Sequence, residues 1–183
     1  MGFDGSEHSK AALAEIANWL KLYGGKALLV HAVFFDEEEY GTIPDQLKKR
    51  MDVGKKMCVQ AEEDISFALG ISIESLICEG DPADTIIEIA ETKNADLIAI
   101  GTHGGRKGIK KLVMGSVTSA IVGDSPCDVL VVKKSAPSSG VPYGSILVAF
   151  DGSAFSKKAL SQACRLAGRQ GSNLTVLYVV HEL

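Results

Sequence analysis

The sequence alternates short apolar runs, rich in β-branched residues, with longer amphipathic segments, and this alternation continues to residue 133. The first amphipathic segment covers residues 9–22 and ends at Gly24-Gly25, and residues 27–33 then form a continuous apolar run. Runs that are apolar on both faces are typical of parallel strands, which helices cover on both sides. The pattern therefore predicts a doubly wound α/β fold with an open parallel sheet.

The later segments follow the same alternation. The sequence predicts helices over residues 45–69, 83–93 and 116–122, and strands over residues 71–78, 96–100 and 128–132. Asp81 stands directly before Pro82, so we expect it to be the N-cap of the helix over residues 83–93.

A stretch rich in Pro, Gly and Ser interrupts the alternation and suits a linker better than a packed element. We therefore predict a domain over residues 1–134, a linker over residues 135–144 and a partial second domain over residues 145–183. The second domain should contain one β-α-β unit.

The two predicted domains share an internal repeat. Phe150-Asp-Gly-Ser153 repeats Phe3-Asp-Gly-Ser6 at an offset of 147 residues, and the same offset aligns the following segments without a gap. A full predicted strand, residues 145–150, leads into the second motif, whereas only Met-Gly-Phe precedes Asp4. We therefore expect both copies to be incomplete.

Composition excludes several classes of protein. The chain has 46% hydrophobic and 23% charged residues, which is typical of a soluble globular protein and argues against disorder or a membrane span. A net charge of −4 disfavours nucleic acid as a partner. Its four cysteines form no CxxC pair and its four histidines no HExxH motif, so no metal site is predicted. No signal-peptide pattern opens the sequence, which predicts a cytoplasmic location.

A glycine-rich segment, Gly101-Thr-His-Gly104-Gly105, directly follows the predicted strand over residues 96–100. Ligands bind at the carboxyl ends of the strands in such sheets, and glycines let the backbone approach a phosphate. Gly115 and Ser116 then open a helix, whose N-terminal amides attract anions. The loop between them adds Arg106, Lys107, Lys110 and Lys111. This favours a phosphate site; the alternative is a solvated basic loop.

The segment from Gly101 to Ser116 resembles the signature G-2x-G-9x-G-(S/T) of the universal stress protein family. Four further segments resemble that family in the same order: Phe-Asp-Gly-Ser at the start, Leu-Leu-Val-His-Ala-Val, Glu79-Gly-Asp-Pro-Ala, and Cys127-Asp-Val-Leu-Val-Val. Ten residues, and not nine, separate Gly104 from Gly115, so the second glycine of the signature is either Gly104 or Gly105.

The resemblance implies an adenine nucleotide alpha hydrolase-like fold with five strands in the order 3-2-1-4-5, and ATP as ligand, with or without Mg²⁺. It assigns Asp4 to the ribose hydroxyls, and Gly2 and the backbone around Ala32 to the adenine. The phosphates would lie on Gly101, Gly104 or Gly105, Gly115, Ser116 and Val117. An alternative for Asp4 is that it caps the first helix.

The residues contain no recognisable catalytic arrangement, such as a GxSxG elbow or a Walker A lysine, so any hydrolysis should be slow. His103 could contact a phosphate, although a solvent-facing loop histidine is the commoner case. The favoured function is an adenine-nucleotide-binding regulator of the stress response. The alternatives are a slow ATPase or nucleotidyl transferase, and a dimeric interaction protein without nucleotide. We expect a homodimer or pseudo-dimer through the last strand, residues 128–132.

The implied strand order places the first strand at the centre of the sheet, where this chain has only three residues. An open slot would leave backbone groups unpaired, at a cost of about 1–3 kcal/mol each. We therefore hypothesise that residues 145–150 fill the slot, within the chain or by exchange with a second chain, and that Asp151 then replaces Asp4. The alternative is that the sequence is a fragment of a longer tandem protein.

Overall fold

A computed structural model of the chain describes residues 1–34, 44–102, 114–133 and 143–180. The chain divides into two units, Met1–Ser135 and Ala136–Leu183. The elements of the first unit are α1 (Glu7–Tyr23), β1 (Leu28–Val33), α2 (Pro44–Leu69), β2 (Glu74–Glu79), α3 (Pro82–Thr92), β3 (Leu97–Gly101), α4 (Ser116–Asp124) and β4 (Asp128–Val132). The second unit contains β5 (Ser145–Ala149), α5 (Ala154–Gln170) and β6 (Asn173–Leu177). This element order confirms the α/β class. The domain limits stay predictions, and most of the predicted linker lies outside the described residues.

The strands of the first unit are parallel and form two pairs. β1 pairs with β2, from Leu28 opposite Glu74 to Val33 opposite Glu79. β3 pairs with β4, from Leu97 opposite Asp128 to Gly101 opposite Val132. The carboxyl ends of each pair therefore lie at one edge.

Residues 1–3 connect the two pairs by backbone hydrogen bonds. Gly2 forms a parallel bridge with Val30 of β1, and the Phe3 N–H donates to the Val30 carbonyl at 2.9 Å. The Gly2 N–H donates to the Ala99 carbonyl of β3 at 3.1 Å. Three residues are thus enough to bond to both neighbouring strands.

These bonds overturn the hypothesis that residues 145–150 fill the central slot within the chain. Residues 1–3 already occupy that position, and β5 pairs with β6, from Ser145 opposite Asn173 to Ala149 opposite Leu177. Three residues can hold the central position because β1 and β3 both supply backbone hydrogen-bond partners. The full order 3-2-1-4-5 stays a prediction, because residues 1–3 form a bridge and not a complete strand.

Apolar clusters lie on both faces of the strands. One contains Val30, Ile86, Ile98, Ile100 and Ile121, which come from the strands, α3 and α4. The other contains Leu29 of β1, Leu13 of α1 and Cys58 of α2, together with Phe3 and with Ile73, which directly precedes β2. Each fully buried Leu or Ile side chain contributes about 1.5–3 kcal/mol to stability. This packing holds helices against both faces of the strands and thereby fixes the positions of the strand ends.

The internal repeat has the same local structure in both units. Gly5 and Gly152 adopt positive φ angles of 73° and 83°, which favour glycine because it has no Cβ. Ser6 and Ser153 then cap the following helices, and their hydroxyls accept from Ser9 and Ser156 at 3.2 and 3.1 Å. The motif therefore encodes a strand-to-helix turn.

Within the described ranges, no helix has both the length and the hydropathy that crossing a membrane requires.

Candidate functional site

Most of the predicted site residues that the structure describes lie at the carboxyl edge of the strands. Asp4 follows residues 1–3, Ala32 is the penultimate residue of β1, and Gly101 is the last residue of β3. Two hydrogen bonds hold the start of α4 at this edge: Gly115 N–H donates to the Thr102 carbonyl and Thr118 Oγ1 donates to the Gly101 carbonyl, both at 2.9 Å.

Asp4 begins the turn into α1 but is not its cap. Its Oδ1 accepts from the Ser6 N–H at 3.0 Å, and its own N–H donates to Ser9 Oγ at 3.4 Å. The N-cap is Ser6. The alternative that Asp4 caps α1 is therefore wrong, because the helix begins two residues later than that role requires. The Asp4 residue is exposed at the edge.

Gly2 and Gly101 are explained in part by packing. A Cβ on Gly2 would lie 2.8 Å from Ile86 Cδ1 of α3, and a Cβ on Gly101 would lie 2.6 Å from the backbone carbonyl carbon of His8. Ordinary carbon contacts are about 3.5–4.0 Å, so Gly101 has no room for a side chain, and at Gly2 the tip of the Ile86 side chain would have to move. The sequence indicated glycine for ligand approach only, since packing between α1 and β3 has no local signal.

The N-terminus of α4 presents backbone amides. Gly115 is its N-cap and supplies no side chain, while its carbonyl accepts from the Ser119 N–H at 2.9 Å. Among the described residues, the N–H groups of Ser116 and Val117 have no hydrogen-bond acceptor. Amides in the first turn of a helix attract anions, so this end could hold a phosphate.

A pocket of about 400 Å³ lies beside the end of β1. Its walls come from β1, the residue that follows β1, and α2: His31, Ala32, Val33, Phe34, Lys49, Arg50 and Val53. Of the predicted site residues that the structure describes, only Ala32 lines this pocket. Small-molecule sites have volumes of about 300–1,000 Å³, so the pocket is large enough for a nucleobase.

His31 fixes one wall of the pocket. Its Nδ1 lies 2.9 Å from the Phe3 carbonyl oxygen, which can only accept, so Nδ1 carries the hydrogen. A Cβ on Gly54 of α2 would lie 2.3 Å from His31 Cδ2, so glycine lets α2 pass over the ring. Neither His31 nor Gly54 is among the site residues predicted from the sequence.

A second histidine joins three elements at the edge and was also missed. His8 Nδ1 lies 3.0 Å from the Lys133 carbonyl oxygen and 3.1 Å from Thr102 Oγ1. The Thr102 N–H donates to the Val132 carbonyl at 3.1 Å. His8 therefore ties α1 to the ends of β3 and β4.

Gly104, Gly105, His103 and the basic residues Arg106, Lys107, Lys110 and Lys111 lie outside the described residues. The other predicted residues lie at one edge of the strands, except for Gly2, which lies two residues before Asp4. The residues at the edge are Asp4, Ala32, Gly101, Gly115, Ser116 and Val117. In the described part of the chain, no cluster of His, Cys, Asp or Glu could hold a metal ion.

Two of the four cysteine thiols, those of Cys58 and Cys78, are not activated nucleophiles. Burial, followed by the nearby charge of Glu62, raises the pKa of Cys58 to about 11. Burial, followed by Glu88, also raises the pKa of Cys78. Both thiols are therefore protonated and weakly reactive at neutral pH.

The family profile and the individual relatives that match this chain all indicate the same family. The profile of the universal stress protein family matches residues 1–133 and 142–183. A universal stress protein of Methanocaldococcus jannaschii is 33% identical over 139 residues, which cover 72% of this chain and 78% of that protein. One of Thermus aquaticus is 32% identical over 144 residues, which cover 73% of this chain and 96% of that protein.

Solved structures share the fold. A universal stress protein from Archaeoglobus fulgidus has a TM-score of 0.74 at 24% identity and covers 99% of this chain, which spans 66% of that protein. A universal stress protein solved in complex with cAMP has a TM-score of 0.53 at 24% identity, over 74% of this chain and 94% of that chain. Another from Archaeoglobus fulgidus, in complex with dAMP, has a TM-score of 0.53 at 21% identity, over 72% and 94%.

Proposed function

Because the chain belongs to the universal stress protein family, we propose that it is a regulator of the stress response that binds an adenine nucleotide, ATP above others, at the carboxyl edge of its first unit. One observation carries the proposal: an exposed carboxylate, a pocket of nucleobase size and a helix N-terminus with available amides share this edge. The complexes of two structural relatives with cAMP and dAMP support the adenine nucleotide class.

Each part of the nucleotide has a candidate partner. The first-turn amides of Ser116 and Val117, together with Gly101, Gly115 and Gly104 or Gly105, would hold the phosphates. Asp4 would accept hydrogen bonds from the ribose hydroxyls. The adenine would lie against the backbone around Ala32, with Gly2 at its border; Mg²⁺ would accompany the triphosphate.

The remaining parts of the proposal concern assembly, location and turnover. We propose a homodimer or pseudo-dimer through β4 and a cytoplasmic location. A slow ATPase or nucleotidyl transferase is the second candidate, and it predicts turnover that depends on Asp4.

Calorimetric titration with ATP and Mg²⁺ tests the proposal. The unaltered chain should bind ATP with a micromolar Kd, and Gly115→Val should weaken binding at least about tenfold, which is about 1.4 kcal/mol. The φ of Gly115 is −56°, which valine adopts readily, so the variant obstructs the ligand without straining the backbone.

Gly123→Val is the matched control, because it lies in the same helix and a Cβ there meets nothing within 4 Å. Its affinity should equal that of the unaltered chain. Absence of ATP binding by the unaltered chain would overturn the proposal and favour the interaction protein without nucleotide.

A further inference from the structure

The His8 side chain contacts two groups that follow neighbouring strands. Its Nδ1 lies 3.0 Å from the Lys133 carbonyl oxygen, after β4, and 3.1 Å from Thr102 Oγ1, after β3. The Lys133 carbonyl can only accept a hydrogen bond. His8 Nδ1 must therefore carry a hydrogen, both in the neutral ring and in the charged one.

This assignment determines what the Thr102 hydroxyl can do. Facing an N–H group, Thr102 Oγ1 can only accept from His8, so its own hydrogen must point elsewhere. Among the described residues, no acceptor receives that hydrogen. The hydroxyl is a donor that His8 holds in one orientation.

Thr102 also lies next to the groups assigned to the phosphates. Its carbonyl accepts from the Gly115 N–H at 2.9 Å, and its N–H donates to Val132, so the backbone on both sides is fixed. The Thr118 hydroxyl, at 2.9 Å from the Gly101 carbonyl, holds the first turn of α4 against the same residues. The Thr102 donor and the α4 amides therefore belong to one rigid group.

We propose that the Thr102 hydroxyl donates a hydrogen bond to the phosphate chain of the nucleotide, and that His8 is the positioning residue that orients it. The inference rests on the proposed function and adds two residues to it. A hydroxyl donor beside backbone amides suits an anionic oxygen, because hydrogen bonds to charged acceptors are the stronger ones.

Thr102→Val and Thr102→Ser form the first test, by calorimetric titration with Mg²⁺-ATP. Valine keeps the shape of threonine and removes only the hydroxyl, so ATP affinity should fall about tenfold. Serine keeps the hydroxyl, and its affinity should stay within about twofold of the unaltered chain. The urea unfolding midpoint of each variant, measured without ligand, should match that of the unaltered chain, which separates a lost contact from a damaged fold.

A double-mutant cycle tests His8. His8→Ala should weaken ATP binding about fivefold, and His8→Asn should restore it, because the asparagine amide places an N–H donor where Nδ1 was. When the chain already carries Thr102→Val, adding His8→Ala should change the affinity no further. A purely structural role for His8 would weaken binding equally in both backgrounds.

The outcomes separate this inference from the proposed function. If the unaltered chain does not bind ATP, the proposed function fails and this inference fails with it. If the unaltered chain binds ATP and Thr102→Val binds equally well, only the inference is overturned. Additive effects of Thr102→Val and His8→Ala would overturn the positioning role of His8 while leaving the Thr102 contact in place.

Discussion

Single atoms decide how closely the helices approach the sheet. At Gly101 a Cβ would meet the backbone of His8, and at Gly2 it would meet the tip of the Ile86 side chain. The two cases differ, because a flexible side chain can move aside and backbone inside a helix cannot. Gly101 is therefore the stricter position.

Gly101→Ala should destabilise the first unit by about 2 kcal/mol, because the added Cβ would lie 2.6 Å from the His8 carbonyl carbon and overpacking of this kind costs about 1–3 kcal/mol. Urea unfolding followed by circular dichroism measures the change. Gly123→Ala is the control and should be neutral or stabilising, since its Cβ meets nothing within 4 Å. Equal stability of the Gly101→Ala variant would mean that α1 is not packed as described.

Asp151 should titrate with a pKa of about 2, below the ordinary 3.8. The first cause is the hydrogen bond from the Ser153 N–H, at 2.9 Å, and the Ser156 and Ser153 hydroxyls add to it. Since the folded pKa is lowered, this carboxylate stabilises the second unit above about pH 4, and that contribution is lost as the pH falls toward 2.

Carbon-13 NMR titration of the Asp151 carboxyl carbon measures this pKa directly. Ser156→Ala removes the second cause and should move the pKa part of the way back toward 3.8. A titration midpoint near 3.8 in the unaltered chain would contradict the turn geometry.

The elements themselves follow closely from the sequence. The apolar runs predicted every helix and strand of the first unit, and Asp81 is the N-cap of α3, where Oδ1 accepts from Ala83 and Asp84 at 2.8 and 3.2 Å. The prediction for β2 began three residues early, at residue 71. Ile71 and Ile73 are apolar because they pack in a cluster with α2, whereas pairing begins only where Leu28 opposes Glu74.

Contacts between residues that are far apart in the chain could not be predicted from the sequence. His8 and Thr102 are 94 residues apart, and neither has a local pattern that indicates the other. The same holds for residues 1–3, which carry no strand pattern of their own and are ordered by hydrogen bonds from β1 and β3. The glycine motif predicts where the candidate site lies, whereas the contacts that hold its described residues are seen only in the fold.

Each of the two units has its own hydrogen-bonded strands. In the first, Val30 N–H donates to the Met1 carbonyl at 2.8 Å; in the second, Phe150 N–H donates to the Leu177 carbonyl, also at 2.8 Å. All residues proposed to bind the nucleotide belong to the first unit. We therefore expect damage to the second unit to leave the site intact.

Val148→Asp should unfold the second unit and spare the first, because Val148 is buried in β5 with 6% exposure. Hydrogen exchange of the Phe150 amide should accelerate, and that of the Val30 amide should not change. Leu147→Asp, at a position that is 65% exposed, is the matched control and should be tolerated. Faster hydrogen exchange of the Val30 amide in the Val148→Asp chain would contradict this prediction and indicate that β5 stabilises the first unit.

The hydrogen bond from Gly115 to Thr102 joins the two described residues that flank the span between them. Between two anchored ends, an added residue changes mainly the entropy of bringing those ends together, and even a doubling of the number of residues costs only about 0.6 kcal/mol. The tenth residue between Gly104 and Gly115 is therefore a small perturbation for the helix that begins at Ser116. Relatives whose spans differ in length by a residue can therefore keep the same helix start, because the bond between Gly115 and Thr102 sets it.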